Sequence, residues 1–391
     1  MAELSAHLVD HIFPKVPTRQ WVLTLPFSLR YKLAWNHELT KRVLSEFYSV
    51  IQEFYCERAE ARGVTGGRSG AVTAIQRVGS AINLNVHYHS EFADGVFARG
   101  DEGALHFHPL DELTDDDVAF LVTKVRERAL RLLQKEGIFE DGQISFAFDE
   151  LSDESASLSG MYGASVQSRV SMGERAGLRV RRIGRDPNAP PIESSTRLQA
   201  RVDGFDLHAG VFVGANDRER LERVCRYLLR PPVPESRLEL LDDGMVLLEL
   251  KNEFSDGTTH LLYSGLEFLE KLATLITRPG INQLIYHGVF APNAAWRREV
   301  VGYRSFSPKS EKNDSASATW ASLLKRIFLI EALSCPRCGG HMSIIANIDD
   351  PHVIQKILNH LGLPTTIPTT KPSRVPDAFF DPLDDLYPID A

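Results

Sequence analysis

The sequence predicts an α+β protein: an antiparallel sheet flanked by helices, followed by a small C-terminal module with a CxxC pair. Three observations carry this. Residues 81–89 alternate strictly between apolar and polar side chains, the period of a half-buried strand. Leu33, Leu39, Val43, Leu44, Phe47, Ile51 and Phe54 recur at helical spacing. Turn signals at Gly79-Ser80, Asp203-Gly204 and Asp242-Asp243-Gly244 separate short strand-like runs, as hairpins require.

Taken in order, residues 1–65 read as a mostly helical N-terminal segment, closed by a glycine-rich break at 62–70. Strands are expected at about 71–78 and 82–97. Asp111 to Glu136 reads as a helix: Thr114 is a good N-cap, Asp115 to Asp117 suit its first turn, and Gly137 stops it. A helix is expected over 155–170, a Pro/Asn/Ser loop over 184–195 and a strand pair over 197–214. Asn216 with Glu219 approaches a capping box for a helix from Asn216 to Arg230, ended by Pro231-Pro232. Two short strands meet near Asp242-Asp243-Gly244, a further strand ends near Leu262, and a helix follows at 264–276. The core is thus expected over 66–302, with a polar linker at 303–318 and a small module at 319–363. That module reads as a helix at 318–331, the cysteine pair, a strand at 342–348 and a helix at 350–361. The acidic tail, 364–391, is expected to be poorly ordered.

Composition bounds the function. With 43% hydrophobic and 25% charged residues the chain reads as globular. No run approaches the roughly 18 apolar residues of a membrane span, and the start lacks the pattern of a signal peptide, so a cytoplasmic protein without a membrane partner is expected. The net charge of −8 argues against a nucleic-acid partner. The distribution argues for one: Arg169 to Arg230 holds thirteen arginines, no lysine and eight acidic residues. No GxSxG elbow points to a serine hydrolase.

Two elements carry chemistry. In the alternating strand, Ile82, Leu84, Val86 and Tyr88 would pack on helices, while Asn83, Asn85, His87 and His89 share the other face. Imidazoles two residues apart, about 7 Å along the strand, can grip one metal ion with a third ligand from a neighbour. Gln76, Glu91 and Asp94 are the candidates, with Gln76 preferred because the Gly79-Ser80 hairpin would set it beside the histidines. Such mixed ligation suits Mg²⁺ or Mn²⁺. A solvated sheet face is the alternative. His106 and His108 lack an apolar partner face and read as structural.

In the second element, Leu221, Val224, Cys225 and Leu228 form an apolar helical stripe with Tyr227 on its flank. Arg220 and Arg223 precede Tyr227 on the same side, where guanidinium groups would hold phosphate oxygens beside a phenol. A tyrosine anchoring the helix to the core is the alternative. Cys335-Pro336-Arg337-Cys338 reads as half of a zinc ribbon, with His341, His352 and His360 as candidate further ligands.

A histidine strand followed by a tyrosine helix is the pattern of HUH endonucleases. The chain resembles the transposases of insertion-sequence common-region (ISCR) elements, which move by rolling-circle transposition. Similar stretches run from about His7 to Pro364. They include Val16-Pro17-Thr18-Arg19-Gln20-Trp21-Val22-Leu23-Thr24-Leu25-Pro26, the histidine strand, Asp256-Gly257-Thr258-Thr259-His260, Tyr286-His287-Gly288-Val289, Ala291-Pro292-Asn293 and the cysteine pair. Cys225-Arg226-Tyr227-Leu228-Leu229-Arg230-Pro231-Pro232 is the most specific of them. The resemblance implies an HUH core in which Tyr227 is the nucleophile and His87 and His89 hold a divalent metal. It further implies single-stranded DNA as substrate and a 5′-phosphotyrosine intermediate. Relatives with two tyrosines carry the other one where this chain has Arg223, which implies the single-tyrosine branch. Relatives also carry a zinc-binding module before the segment that begins here, so a chain lacking it is expected. The rival expectations are a metal-dependent nuclease using water and a non-catalytic DNA-binding remnant.

Overall fold

The computed structural model describes residues 2–140, 143–144, 150–184, 197–229, 235–302, 320–328 and 350–365, together with 233, 330–335, 337–343 and 348. The expected loop at 184–195, Pro231-Pro232, the linker at 303–318, the strand at 342–348 and the tail from 364 lie largely or wholly outside these residues.

The N-terminal helix α1 (Ala2–His7) passes through a π-helical turn, Leu8–Ile12, into a strand, β1 (Thr18–Thr24). The helical reading of 1–65 is corrected here. Six of the seven β1 residues are buried, so polar Thr18, Arg19 and Gln20 sit inside and no alternation betrays the strand. Helices α2 (Phe27–Trp35) and α3 (His37–Glu60) follow, with the Asn36 side chain accepting from the Leu39 N–H to cap α3.

Strands β2 (Gly70–Val78) and β3 (Leu84–Ala93) form a hairpin, as expected, but its connection spans 79–83, with Ile82 at φ 55°, in place of the expected tight turn at Gly79-Ser80 and strand start at 82; β4 (Gly95–Arg99) pairs with β5 (Leu105–Pro109). The expected strand over 82–97 is therefore two strands, separated at Asp94. Helix α4 (Asp115–Lys135) carries the predicted cap, a reciprocal box between Thr114 and Asp117. A two-residue pair, β6 (Phe139–Glu140) and β7 (Gln143–Ile144), precedes α5 (Glu150–Glu154), α6 (Ala156–Val166) and β8 (Arg181–Ile183). Strands β9 (Gln199–Val202) and β10 (Phe205–Val213) turn at Asp203 and Gly204, whose φ values of 46° and 80° suit a primed hairpin turn.

Helix α7 (Arg218–Leu228) starts two residues later than expected, and its cap is Asp217, accepting from the Arg220 N–H, and not Asn216. Strands β11 (Leu238–Leu240), β12 (Val246–Glu249) and β13 (His260–Tyr263) lead into α8 (Gly265–Leu275). A further strand, β14 (Leu284–Gly288), precedes α9 (Arg297–Val301), α10 (Trp320–Phe328) and α11 (Pro351–His360). Gly288 is required where it stands: its φ is 55°, and a Cβ there would lie 2.1 Å from both the Ser69 carbonyl oxygen and the Tyr48 hydroxyl.

The main sheet is antiparallel, in the order β14-β2-β3-β1-β10-β9; a second runs β11-β12-β13-β8. One face of the main sheet, with Trp21, Leu23, Leu84, Val86, Tyr88 and Phe92, packs against α2, α3 and α4. Each large side chain buried there contributes on the order of 1.5–3 kcal/mol. On the other face Val22, Val72, Val211 and Val213 meet Leu221, Val224, Cys225 and Tyr227 of α7. Helix α7 is held from outside as well. Arg218 donates to the carbonyls of Val9, Phe13 and Pro14, and Arg326 of α10 pairs with Glu222 and Asp10. The second sheet packs beside the β2–β3 turn, where the Tyr263 hydroxyl donates to the Ala81 carbonyl at 2.8 Å.

Candidate active site

Directly opposed residues of an antiparallel pair point to the same face. On β3, His87 faces Gln76 and Thr24, His89 faces Ala74 and Val22, and Glu91 faces Val72 and Gln20. One strand further, His208 of β10 faces Val22. Asn85, His87, His89, Glu91, Gln76 and His208 therefore share the face that α7 covers. The sequence expectation of one polar face on this strand holds, but the face is not solvated: every residue of β3 is buried.

Helix α7 brings Tyr227 down onto this face. Its ring centroid lies 5.7 Å from that of His89 at 66°, and His89 lies 5.0 Å from His87 at 65°. Three residues separated by up to 140 positions thus form one row. Tyr227 is 6% exposed, and the two histidines 1% and 0%. The His87 Nδ1 lies 2.9 Å from the Asn85 carbonyl oxygen. An acceptor there makes Nδ1 the protonated nitrogen and leaves the lone pair on Nε2, the tautomer a metal-ligating histidine adopts. The Gln76 Nε2 donates to the Leu228 carbonyl at 3.1 Å. Gln76 thus ties the end of the tyrosine helix to the strand beside His87, and its amide oxygen is the atom suited to a metal.

The other candidate ligands stand differently. Asp94 is taken by Arg19, which reaches both carboxylate oxygens at 3.0 Å, and by the Tyr55 hydroxyl at 2.9 Å. The Trp21 indole in turn donates to Tyr55, so the Val16 to Pro26 motif builds a buried brace. Glu91 is fully buried. Burial pushes its carboxyl up to about 8, with Asp94 adding to the rise and Thr18, Arg19 and Arg220 opposing it. Among the described residues no three His, Cys, Asp or Glu side chains converge on one metal position. Neither Glu91 nor Asp94 joins the histidine pair in such a group.

Lysine 251, just past β12, carries its Nζ 5.6 Å from the Tyr227 ring centroid. Sequence reasoning missed it, because an isolated lysine in a hairpin has no periodic signal. It also passed over His208, although Asp206 and His208 alternate with Leu207 and Ala209. Burial pushes the His208 imidazole down to about 4. His106 and His108 sit on β5, away from the row, as expected.

Arg220 and Arg223 lie half-buried along the flank of α7; neither forms a salt bridge among the described residues, and Arg220 acts on buried Glu91 through its charge. Most other described arginines between 169 and 230 are committed within the fold. Arg175 and Arg181 pair with Glu267, Arg182 with Asp256, Arg197 with Glu112 and Arg201 with Asp206. The sequence count therefore mixes structural ion pairs with arginines that have none among the described residues.

His260 and His287 both have neighbours within the fold. The His260 Nδ1 lies 2.9 Å from the Thr259 hydroxyl, and His287 stacks on Tyr48 with centroids 4.8 Å apart. At the cysteine pair, the Cys335 N–H donates to the Gly340 carbonyl and the Gly339 N–H to the Cys335 carbonyl, at 2.9 and 2.8 Å. Backbone N–H groups of Arg337 and Cys338 lower the Cys335 thiol from its ordinary value. Both cysteines are free.

A family model described as "Putative transposase" matches residues 70–298, more than half of the chain. The chain belongs to this transposase family. The match spans the histidine strand, the tyrosine helix, Lys251 and β14, the parts that build the row of His87, His89 and Tyr227. No curated protein and no solved structure matches the chain. DNA is the partner that a transposase family implies. No helix among the described residues is long and apolar enough to cross a membrane.

Proposed function

We propose that this transposase cleaves and rejoins single-stranded DNA through Tyr227, in the manner of a single-tyrosine HUH enzyme of rolling-circle transposition. The observation that carries the reading is the edge-to-face contact of Tyr227 with His89, 5.7 Å between centroids, on the sheet face that also holds His87. The Tyr227 hydroxyl oxygen attacks a backbone phosphorus. A P–OTyr bond forms, the P–O3′ bond breaks, and the released 3′ oxygen takes a proton. The products are a 5′-phosphotyrosine link and a free 3′-OH. Attack by a 3′-OH reverses the step at the same or a new end, so one phosphodiester is exchanged for another without ATP.

His87, His89 and Gln76 would hold Mg²⁺ or Mn²⁺, which supplies charge to polarise the scissile phosphate. Arg220 and Arg223 hold phosphate oxygens from the helix flank. Lys251 places a positive charge over the ring as the phenol loses its proton. Leu228, bonded to Gln76, fixes the end of α7, so the nucleophile and the proposed metal face move as one unit.

The test is a labelled single-stranded oligonucleotide incubated with protein and Mn²⁺, scored for a covalent protein–DNA band. Tyr227→Phe should abolish the band. Cleavage that persists in Tyr227→Phe but not in His87→Ala would replace this reading with a nuclease using water. Binding without cleavage under any metal would leave a DNA-binding remnant. We further propose that Cys335 and Cys338 supply half of a zinc site. Metal analysis of the purified chain should find zinc that Cys335→Ser loses; unchanged zinc content would refute this.

A further inference from the structure

A second cluster of arginines and aromatic rings stands at the β14 edge of the main sheet, outside the row of His87, His89 and Tyr227. The Trp296 ring gathers two guanidinium groups, with Arg68 Cζ at 4.7 Å and Arg99 Cζ at 5.5 Å from its centroid. The next residue, Arg297, lies over Tyr286 at 5.8 Å, and Arg298 beside it is exposed. One carboxylate, Glu299, is bound by Arg99 at 2.7 Å. Arg68, Arg297 and Arg298 have no carboxylate partner among the described residues, and the Arg297 Nη1 is buried without a hydrogen-bond partner there.

The cluster is continuous with the active face. Tyr286 is opposed to Val72 on β2, and Val72 to Glu91 on β3, so Tyr286 points to the side that α7 covers. Tyr286 and Trp296 both pack against the apolar cluster that includes Val224 and Tyr227. Two strand spacings, ~10 Å, separate β3 from β14. The cluster also rests on rigid backbone. Arg68 and Phe97 exchange both main-chain hydrogen bonds at 2.8 Å, and Trp296 leads into α9.

Cations held over aromatic rings, of which Arg68 and Arg297 have no carboxylate partner among the described residues, suit a phosphodiester backbone with splayed bases, because guanidinium groups bind phosphate oxygens and stack on bases. We infer that Arg68, Trp296, Arg297 and Arg298 form a track for the single strand that flanks the scissile phosphate. The inference rests on the single-strand reading above and extends it to a surface that reading does not use. The track lets the enzyme hold several nucleotides beyond the reacting bond, so that the cleaved strand stays bound while its 3′-OH is free.

The test measures anisotropy of fluorescein-labelled dT30 with the full chain across NaCl concentrations, in a Tyr227→Phe background so that no adduct forms. Arg68→Glu and Arg298→Glu, both at exposed positions, should each weaken binding ~10-fold. Arg68→Ala with Arg298→Ala should make the salt dependence shallower by ~1.4 in log–log slope. Trp296→Phe, which keeps a ring, should lose less than Trp296→Ala, with melting curves reporting the fold. A 30-base-pair duplex should bind more weakly than dT30. Affinities within ~2-fold of the parent for both glutamate variants, or duplex binding as tight as dT30, would overturn the track. If dT30 binding depends on these residues but no adduct ever forms with Tyr227 present, the cleavage reading fails and the track stands. If adducts form and the variants bind like the parent, the reverse holds.

Discussion

The two faces of β3 are equally buried and chemically opposite. Leu84, Val86, Tyr88 and Phe92 enter an apolar layer under α2, α3 and α4; Asn85, His87, His89 and Glu91 enter a polar layer under α7. The first face stabilises the fold by removing carbon from water. The second costs stability, since burying imidazoles and a carboxylate is unfavourable unless they are paired. A sheet with such a face at its centre, under a helix carrying a tyrosine, is where the proposed chemistry would act. The difference teaches that burial by itself does not separate core from site; the nature of what is buried does.

Substitutions on the two faces should separate cleanly. The largest effect belongs to the polar face. His87→Ala or His89→Ala should lower metal-dependent oligonucleotide cleavage by ~10²-fold or more, while the melting temperature holds or rises. Full cleavage by both variants would remove the metal role from this face. Next comes the apolar face. Leu84→Ala should destabilise by ~2–4 kcal/mol in urea unfolding, with cleavage per folded molecule unchanged. A loss of cleavage in the folded fraction would mean that the faces are coupled, contrary to the comparison.

A smaller effect concerns pH. The folded-state pKa of His208 is pushed down to about 4, below the ordinary value of 6.5. Between these values the unfolded chain binds the proton and the folded chain does not. Stability is therefore complete above pH ~6.5 and falls as pH drops toward 4, by up to ~2–3 kcal/mol from this group. His287, also pushed down to about 4 by burial, acts with the same sign. Denaturant midpoints at neutral and mildly acid pH should show a flatter profile for His208→Gln; an unchanged profile would assign the acid loss to other groups.

Much of the site was legible before the fold was known. Strict alternation put His87 and His89 on one face, and the structure keeps them there at 5.0 Å. The apolar stripe of Leu221, Val224, Cys225 and Leu228 oriented α7. The register that sets Gln76 opposite His87 was not legible: it comes from a connection spanning 79–83, whereas a tight turn at Gly79-Ser80 would have set Gln76 opposite Asn83. Strand β1 was illegible because it is buried on both sides, where polar Arg19 and Gln20 find partners or cover far along the chain. The arginine count between 169 and 230 misled for a related reason. A sequence shows a charge but not the carboxylate that neutralises it, as Glu267 does for Arg175 and Arg181.

The sequence by itself determined much of the local geometry of this protein: which residues share a strand face, the Thr114 cap of α4, and which side of α7 is apolar. These follow from periods of two and 3.6 residues, which act over a few positions. Only the tertiary structure decided which surfaces meet. It inserted β1 beside β3, laid α7 over the histidine face and swung Lys251 to the Tyr227 ring. Those choices rest on packing between elements from 24 to 140 residues apart, for which no local period exists. For that reason the pairing of Tyr227 with His89, on which the proposed chemistry depends, is a property of the fold.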